Sequence, residues 1–92
     1  MADIYMNPKD VRDFAYYLGE MSENMKSQRL IVMGEFGTLA ETLKRDARYA
    51  SFERTFFGSM EDIETFLREC ERYIPYLEDL ARIAEEMLED DY

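Results

Sequence analysis

The stretch that decides the fold is residues 39–52, which read LAETLKRDARYASF. Apolar residues recur at steps of three or four up to Leu43 and again from Tyr49, with a charged Lys-Arg-Asp interruption between them. Asp46 suits the position before a helix, because its carboxylate can accept hydrogen bonds from the free N–H groups of the first turn. We therefore expect one helix to end, the chain to turn, and a second helix to begin at Ala47. The expected turn residues are Leu43, Lys44, Arg45 and Asp46.

On the N-terminal side of this turn, one helical face is lined by apolar residues back to Asn7-Pro8. Asn7 suits the N-cap, and Pro8 suits the first helical position, where its missing N–H costs nothing. The members of this first seam are Val11, Phe14, Leu18, Met21, Met25, Gln28, Val32, Phe36, Leu39 and Leu43. The spacing predicts a helix over about 8–43, preceded by a flexible lead at 1–6.

On the C-terminal side, a second seam continues at the same spacing. Its members are Tyr49, Phe52, Phe56, Met60, Ile63, Leu67, Cys70, Ile74, Leu77, Ala81, Ala84 and Leu88. This pattern predicts a helix over about 47–89, within one domain that covers residues 1–92. Pro75 removes a backbone hydrogen bond, so we expect a kink near it. Cys70 is expected to be a buried structural thiol.

Two glycines leave an alternative open. Gly37 and Gly58 are each followed by residues typical of a helix start, and breaks at both would give a three-helix bundle. Both seams, however, pass through the glycines without losing phase, and a glycine inside a helix costs only about 1 kcal/mol. We therefore favour an all-α antiparallel hairpin of two long helices over the three-helix bundle.

The second helix carries a further apolar row beside its seam. Its members are Phe57, Phe66, Tyr73, Leu80, Ile83 and Met87. Burying each such side chain contributes about 1.5–3 kcal/mol, and a two-helix hairpin offers one seam per helix. The row therefore predicts an interface with a second hairpin, which is the chain itself or a similar protein, and a four-helix bundle.

The composition argues against catalysis, cofactors and nucleic acid. The 92 residues include no histidine and no tryptophan, so a Ser-His-Asp or Cys-His nucleophile is impossible and the usual nitrogen ligand of metals is missing. The net charge is −10, which disfavours nucleic acid. No stretch approaches the roughly 20 apolar residues of a membrane span. We expect a protein that is not an enzyme, binds no cofactor or metal, and does not insert into membranes.

The charge distribution supports a second functional hypothesis. From Glu61 onward, twelve acids stand against three arginines. Such a segment is suited to an intracellular acidic adaptor or inhibitor that covers a basic surface on a toxin or enzyme, and its complexes would weaken steeply with salt.

The region around the turn also resembles the WXG family of small helical-hairpin proteins associated with type VII (Esx-type) secretion. The resemblance lies in residues 39–46, an apolar helix end followed by a turn, and in Tyr49 and Phe52, which open the next helix. Leu43 stands where the family has its tryptophan, and Arg45 where it has glycine, so the chain resembles a diverged member. The resemblance implies pairing as a homodimer or heterodimer, with a secretion ATPase or an effector as further partners.

The family's C-terminal export signal, a tyrosine four residues before an acid, is not found in this sequence. Leu77 and Leu80 follow Tyr73 and Tyr76 at that distance. The protein is therefore expected to be cytoplasmic as synthesised, and export by a route that needs no signal peptide is kept as an alternative.

Overall fold

The chain is a hairpin of two long antiparallel helices in the computed structural model, which describes residues 7–43 and 45–90. Helix α1 spans Pro8–Leu43 and helix α2 spans Ala47–Asp90, and no strand occurs in these two ranges. The expected all-α hairpin is confirmed. The three-helix alternative is wrong, because α1 continues through Gly37 and α2 through Gly58. The expected lead at 1–6 and the turn residue Lys44 lie outside the described residues.

Side chains just before each helix satisfy the first backbone N–H groups. Asn7 Oδ1 accepts a hydrogen bond from the Lys9 N–H at 2.9 Å. At the turn, the Asp46 N–H donates to the Leu43 carbonyl at 2.9 Å, and Asp46 Oδ1 accepts from the Arg48 N–H at 2.8 Å. Both residues therefore act as N-caps.

Replacing Asp46 with alanine is expected to lower the free energy of unfolding by about 1 kcal/mol, because the cap hydrogen bonds of α2 are lost. The midpoint of urea-induced unfolding measures this change. Asp46→Asn is the control, since its side-chain oxygen can still cap the helix. An equal loss in both variants would attribute the effect to the carboxylate charge near the helix dipole and not to the cap.

The core is a single row of contacts between the helices, and no large side chain among the described residues is fully buried. On α2, most of the second seam faces α1 as expected, with Leu67, Cys70, Leu77 and Ala81 among its buried members, whereas Phe52 and Leu88 are 54% and 51% exposed. The expectation for α1 needs a correction. The side chains that face α2 recur every seven residues, at Pro8, Ala15, Ser22, Arg29, Phe36 and Leu43, and are buried or half-buried. Of the expected first seam, Phe36 and Leu43 belong to this row and Val11, Leu18 and Met25 are half-buried beside it. The other five members are exposed to one side.

The turn end of the hairpin is packed with aromatic rings around Phe36. The Phe36 ring stacks on Phe56 with centroids 4.0 Å apart and on Tyr49 at 5.6 Å. Phe52 and Phe57 approach the same ring at 5.9 and 5.6 Å. We refer to these five residues as the aromatic cluster. Phe36 is its centre and is the only member that belongs to α1.

Toward the open end of the hairpin, small residues replace the rings. Ala15, Ser22 and Ala81 are buried there, and a methyl group at Gly19 would lie 3.8 Å from Ile74 Cδ1. Small side chains allow the two backbones to approach closely. Helix α2 continues past Pro75 in this region, and the kink at that residue stays a prediction.

Candidate interaction surface

The two long sides of the hairpin differ sharply in chemistry. One side carries twelve of the sixteen large apolar side chains that are exposed in the described chain. We call it the apolar face. Its α1 members are Phe14, Tyr17, Met21, Ile31, Val32 and Leu39, and its α2 members are Phe52, Phe66, Tyr73, Tyr76, Ile83 and Met87.

Shallow grooves between the helices join the two halves of the apolar face. One groove, of about 270 Å³, is lined by Phe14 and Leu18 from α1 and by Phe66 and Tyr73 from α2. A second groove, of about 230 Å³, continues the surface toward the turn. Its lining includes Met25, Val32, Met60 and Ile63. The apolar face is therefore one surface built by both helices.

Five of the six interface residues expected from the sequence lie on this side of α2. Phe66, Tyr73, Ile83 and Met87 are 44–65% exposed, and Leu80 is half-buried. Phe57 lies apart from them. It precedes Phe66 by nine residues, which turns a helix by about 180° relative to it, and its ring contacts Phe36 in the aromatic cluster.

Sequence reasoning missed the contribution of α1 to this surface. Phe14, Met21, Val32 and Leu39 were assigned to the seam between the helices, yet they are 39–54% exposed. The sequence did contain a signal for this arrangement. Residues one position further on, at Ala15 and Ser22, are small and repeat every seven residues, which is typical of a close helix contact.

The opposite side of the hairpin is closed by ion pairs between the helices. Nε and Nη2 of Arg12 donate to both carboxylate oxygens of Glu85. Lys26 Nζ lies 2.8 Å from Glu71 Oε1, and Arg29 Nη2 lies 3.2 Å from Glu64 Oε2. The acids of this row recur every seven residues at Glu64, Glu71, Glu78 and Glu85. We call this side the ion-pair side.

These contacts shift the titration of the paired groups. The hydrogen bond from Lys26 lowers the pKa of the Glu71 carboxyl from its ordinary value of 4.5, and the hydrogen bond from Arg12 does the same to the pKa of Glu85. A carboxyl whose pKa is lower in the folded than in the unfolded chain stabilises the fold above its ordinary pKa. That contribution is lost as the pH falls through the lower, folded-state value.

Glu71→Gln is therefore expected to be less stable than the native chain at pH 7, by an amount that shrinks as the pH falls below 4.5. Both partners are largely exposed, so the difference is also expected to shrink in high salt. Urea unfolding of both proteins between pH 3 and pH 7 measures it. Glu61→Gln removes the same charge without breaking an ion pair between the helices, and a pH-dependent loss of equal size in that control would contradict the assignment.

The described residues offer no converging set of catalytic or metal-binding groups. No cluster of three or more acid or thiol side chains that could hold a metal ion occurs in ranges 7–43 and 45–90. Cys70 is buried, in the wall of the groove beside Phe66. Neither described helix is both long and apolar enough to cross a lipid bilayer.

Six acidic residues between Glu61 and Glu89 are engaged in ion pairs in the described part of the chain. Besides Glu64, Glu71 and Glu85 on the ion-pair side, the paired acids are Glu69, Asp79 and Glu86. The acidic segment is thus partly neutralised by this chain's own lysine and arginine side chains.

Comparison of the chain with known protein families, with curated proteins and with solved structures found no match.

Proposed function

We propose that the chain is a non-enzymatic interaction protein that pairs through its apolar face with itself or with a similar helical hairpin, forming a four-helix bundle. The apolar face is the observation that supports this proposal. A hairpin of two helices has no third element to cover that face, and an exposed apolar surface of this continuity is typical of a protein–protein contact.

The size of the apolar face supports a stable contact. Six of its twelve side chains are aromatic, and each exposes about half of the 150–250 Å² that such a side chain can bury. Together they expose about 600 Å² of apolar surface. This area equals the upper end of the range for the largest exposed apolar patch on a typical monomer. With the six aliphatic side chains, the face reaches the roughly 800 Å² per partner of a standard interface.

The resemblance to the WXG family extends the proposal to secretion. On this hypothesis the chain is a substrate or partner of a type VII system, recognised by its membrane ATPase or bound to an effector. It leaves the cytoplasm, where it is made, without a signal peptide. Support comes from the turn sequence, the hairpin and the apolar face together.

Affinity purification from the native host, with mass spectrometry of cells and culture medium, tests the proposal. The native chain and the control Leu30→Asp are expected to recover a helical partner, or a second copy of the chain, and Phe66→Asp is expected to lose it. Leu30 is 68% exposed but lies on the ion-pair side. Export is expected to stop when the secretion ATPase is deleted. A stable monomer found only in the cytosol would refute both parts.

The acidic adaptor hypothesis makes a different prediction for the same complex. An adaptor held by charge is expected to release its partner in high salt, whereas pairing through the apolar face is expected to survive it. The ion pairs that engage six described acids of this segment favour apolar pairing. Washing the purified complex in 1 M salt, at which the Debye length is only about 3 Å, distinguishes the two hypotheses.

A further inference from the structure

The charged residues that border the apolar face are more often acidic than basic. On α1, the acids within the face and along its outer edge are Asp10, Asp13 and Glu35, and Asp13 is paired with Lys9.

Helix α2 continues the same acidic border. Its exposed charges along the outer edge of the face are Asp62, Glu69, Asp79 and Glu86, against only Arg48 and Arg72. Arg72 is itself engaged, since its Nη1 donates to Glu69 Oε1 at 2.9 Å. Arg82 likewise pairs with Asp79 and Glu86. Four of the seven acids along the two edges are therefore paired with cations of this chain, and the border keeps an excess of acids at Asp10, Glu35 and Asp62.

The four lysine and arginine side chains of α1 are all engaged in ion pairs. Arg12, Lys26 and Arg29 reach across to glutamates of α2 on the ion-pair side, and Lys9 pairs with Asp13 at the start of the helix. The hairpin thus separates its charges in part: three cations of α1 lie on the ion-pair side, and the border of the apolar face keeps an excess of acids.

From this separation we infer the chemistry of the partner, on the premise of the pairing proposed above. The apolar face binds an amphipathic helical partner whose apolar stripe is flanked by lysine and arginine, and not a second copy of this chain. Two copies joined by this face would bring acidic border against acidic border, and like charges at an interface oppose association. A basic-flanked stripe buries the same apolar area and adds attraction at both edges.

Two synthetic peptides test the inference. Both are amphipathic helices with the same leucine and phenylalanine stripe, flanked by lysine in one and by glutamate in the other. Fluorescence anisotropy of labelled peptide, titrated with the purified full chain, measures binding. The lysine-flanked peptide is expected to bind at least about tenfold more tightly, and the purified chain alone is expected to be monomeric in light scattering.

Substitutions separate docking on the apolar face from simple attraction of a cationic peptide. Tyr73→Asp adds a negative charge to the acidic chain, so a purely electrostatic contact would tighten. Docking on the face is expected instead to weaken at least about tenfold, because an aspartate replaces an aromatic contact. Leu30→Asp adds the same charge on the ion-pair side and is expected to bind as the native chain does. The double variant Asp62→Lys, Glu69→Lys is expected to shift preference toward the glutamate-flanked peptide.

Each contrary outcome has a distinct meaning. Equal binding of both peptides, or a stable dimer of the chain that Tyr73→Asp dissolves, overturns the inference about a basic partner but leaves the proposed pairing intact. A monomer that binds neither peptide, with Tyr73→Asp indistinguishable from the native chain, overturns both. If Tyr73→Asp and Leu30→Asp both bound the lysine-flanked peptide more tightly, and by the same amount, the contact would depend on charge alone. That result also overturns the inference.

Discussion

Phe36→Ala is expected to lower the free energy of unfolding by about 3–5 kcal/mol, the range for removing a buried phenylalanine. Phe36 is 7% exposed and is the only α1 residue in the aromatic cluster, so its loss removes the one ring of α1 that Tyr49, Phe56 and Phe57 contact. The whole free energy of unfolding of a small domain is only about 5–15 kcal/mol. The variant should therefore be near the limit of folding, with a strong loss of helix content on mild heating.

The matched control is Phe52→Ala, which removes another phenylalanine of the same cluster. Phe52 is 54% exposed, so its truncation is expected to cost much less. Circular dichroism during urea unfolding compares the two. If both variants lost the same free energy, the turn end would not be organised around Phe36.

Replacing Gly34, Gly37 and Gly58 together with alanine is expected to stabilise the hairpin by about 2–3 kcal/mol. Each glycine lies inside a helix, none has a positive φ, and no atom lies within 4 Å of the methyl group that would be added. Alanine restricts the unfolded chain and is favoured over glycine in a helix by about 1 kcal/mol per site. Urea unfolding of the triple variant measures the gain.

This triple variant also tests the continuity of the helices. If Gly37 and Gly58 ended helices in the left-handed conformation that favours glycine, alanine would destabilise the chain at those two sites. A net loss of stability would therefore support the three-helix arrangement. Gly34→Ala alone is the control, because no break is expected at that position under either arrangement.

The helix ends could be predicted because local chemistry marks them. Asn7-Pro8 and Asp46 each supply a cap that needs no knowledge of tertiary contacts, and the second seam keeps its phase through Gly58. The face that α1 turns toward α2 could not be predicted in the same way. Apolar residues cover more of α1 than a single contact requires, and the contact uses the small and charged residues Ala15, Ser22 and Arg29, which a search for apolar spacing overlooks.

The apolar face was predicted in part for a related reason. The row from Phe66 to Met87 follows one side of a helix, so its spacing was sufficient to find it. Phe57 was included by its apolar character, although a nine-residue step places it on the other side. The half contributed by α1 was hidden, because Phe14 and Met21 were already assigned to the core, and only the contacts across the hairpin show that they are exposed.

The position of the aromatic cluster has a consequence for the order of folding. Its rings lie close to the turn, so Phe36 can meet Tyr49 after closing a short loop, whereas Arg12 and Glu85 are separated by 73 residues. Short loops close at lower entropic cost and form earlier. We expect folding to nucleate at the turn and the contacts between the helices to form progressively toward the open end. Amide hydrogen exchange is expected to be fastest at that end. A partner that holds Ile83 and Met87 would therefore complete the last step of folding.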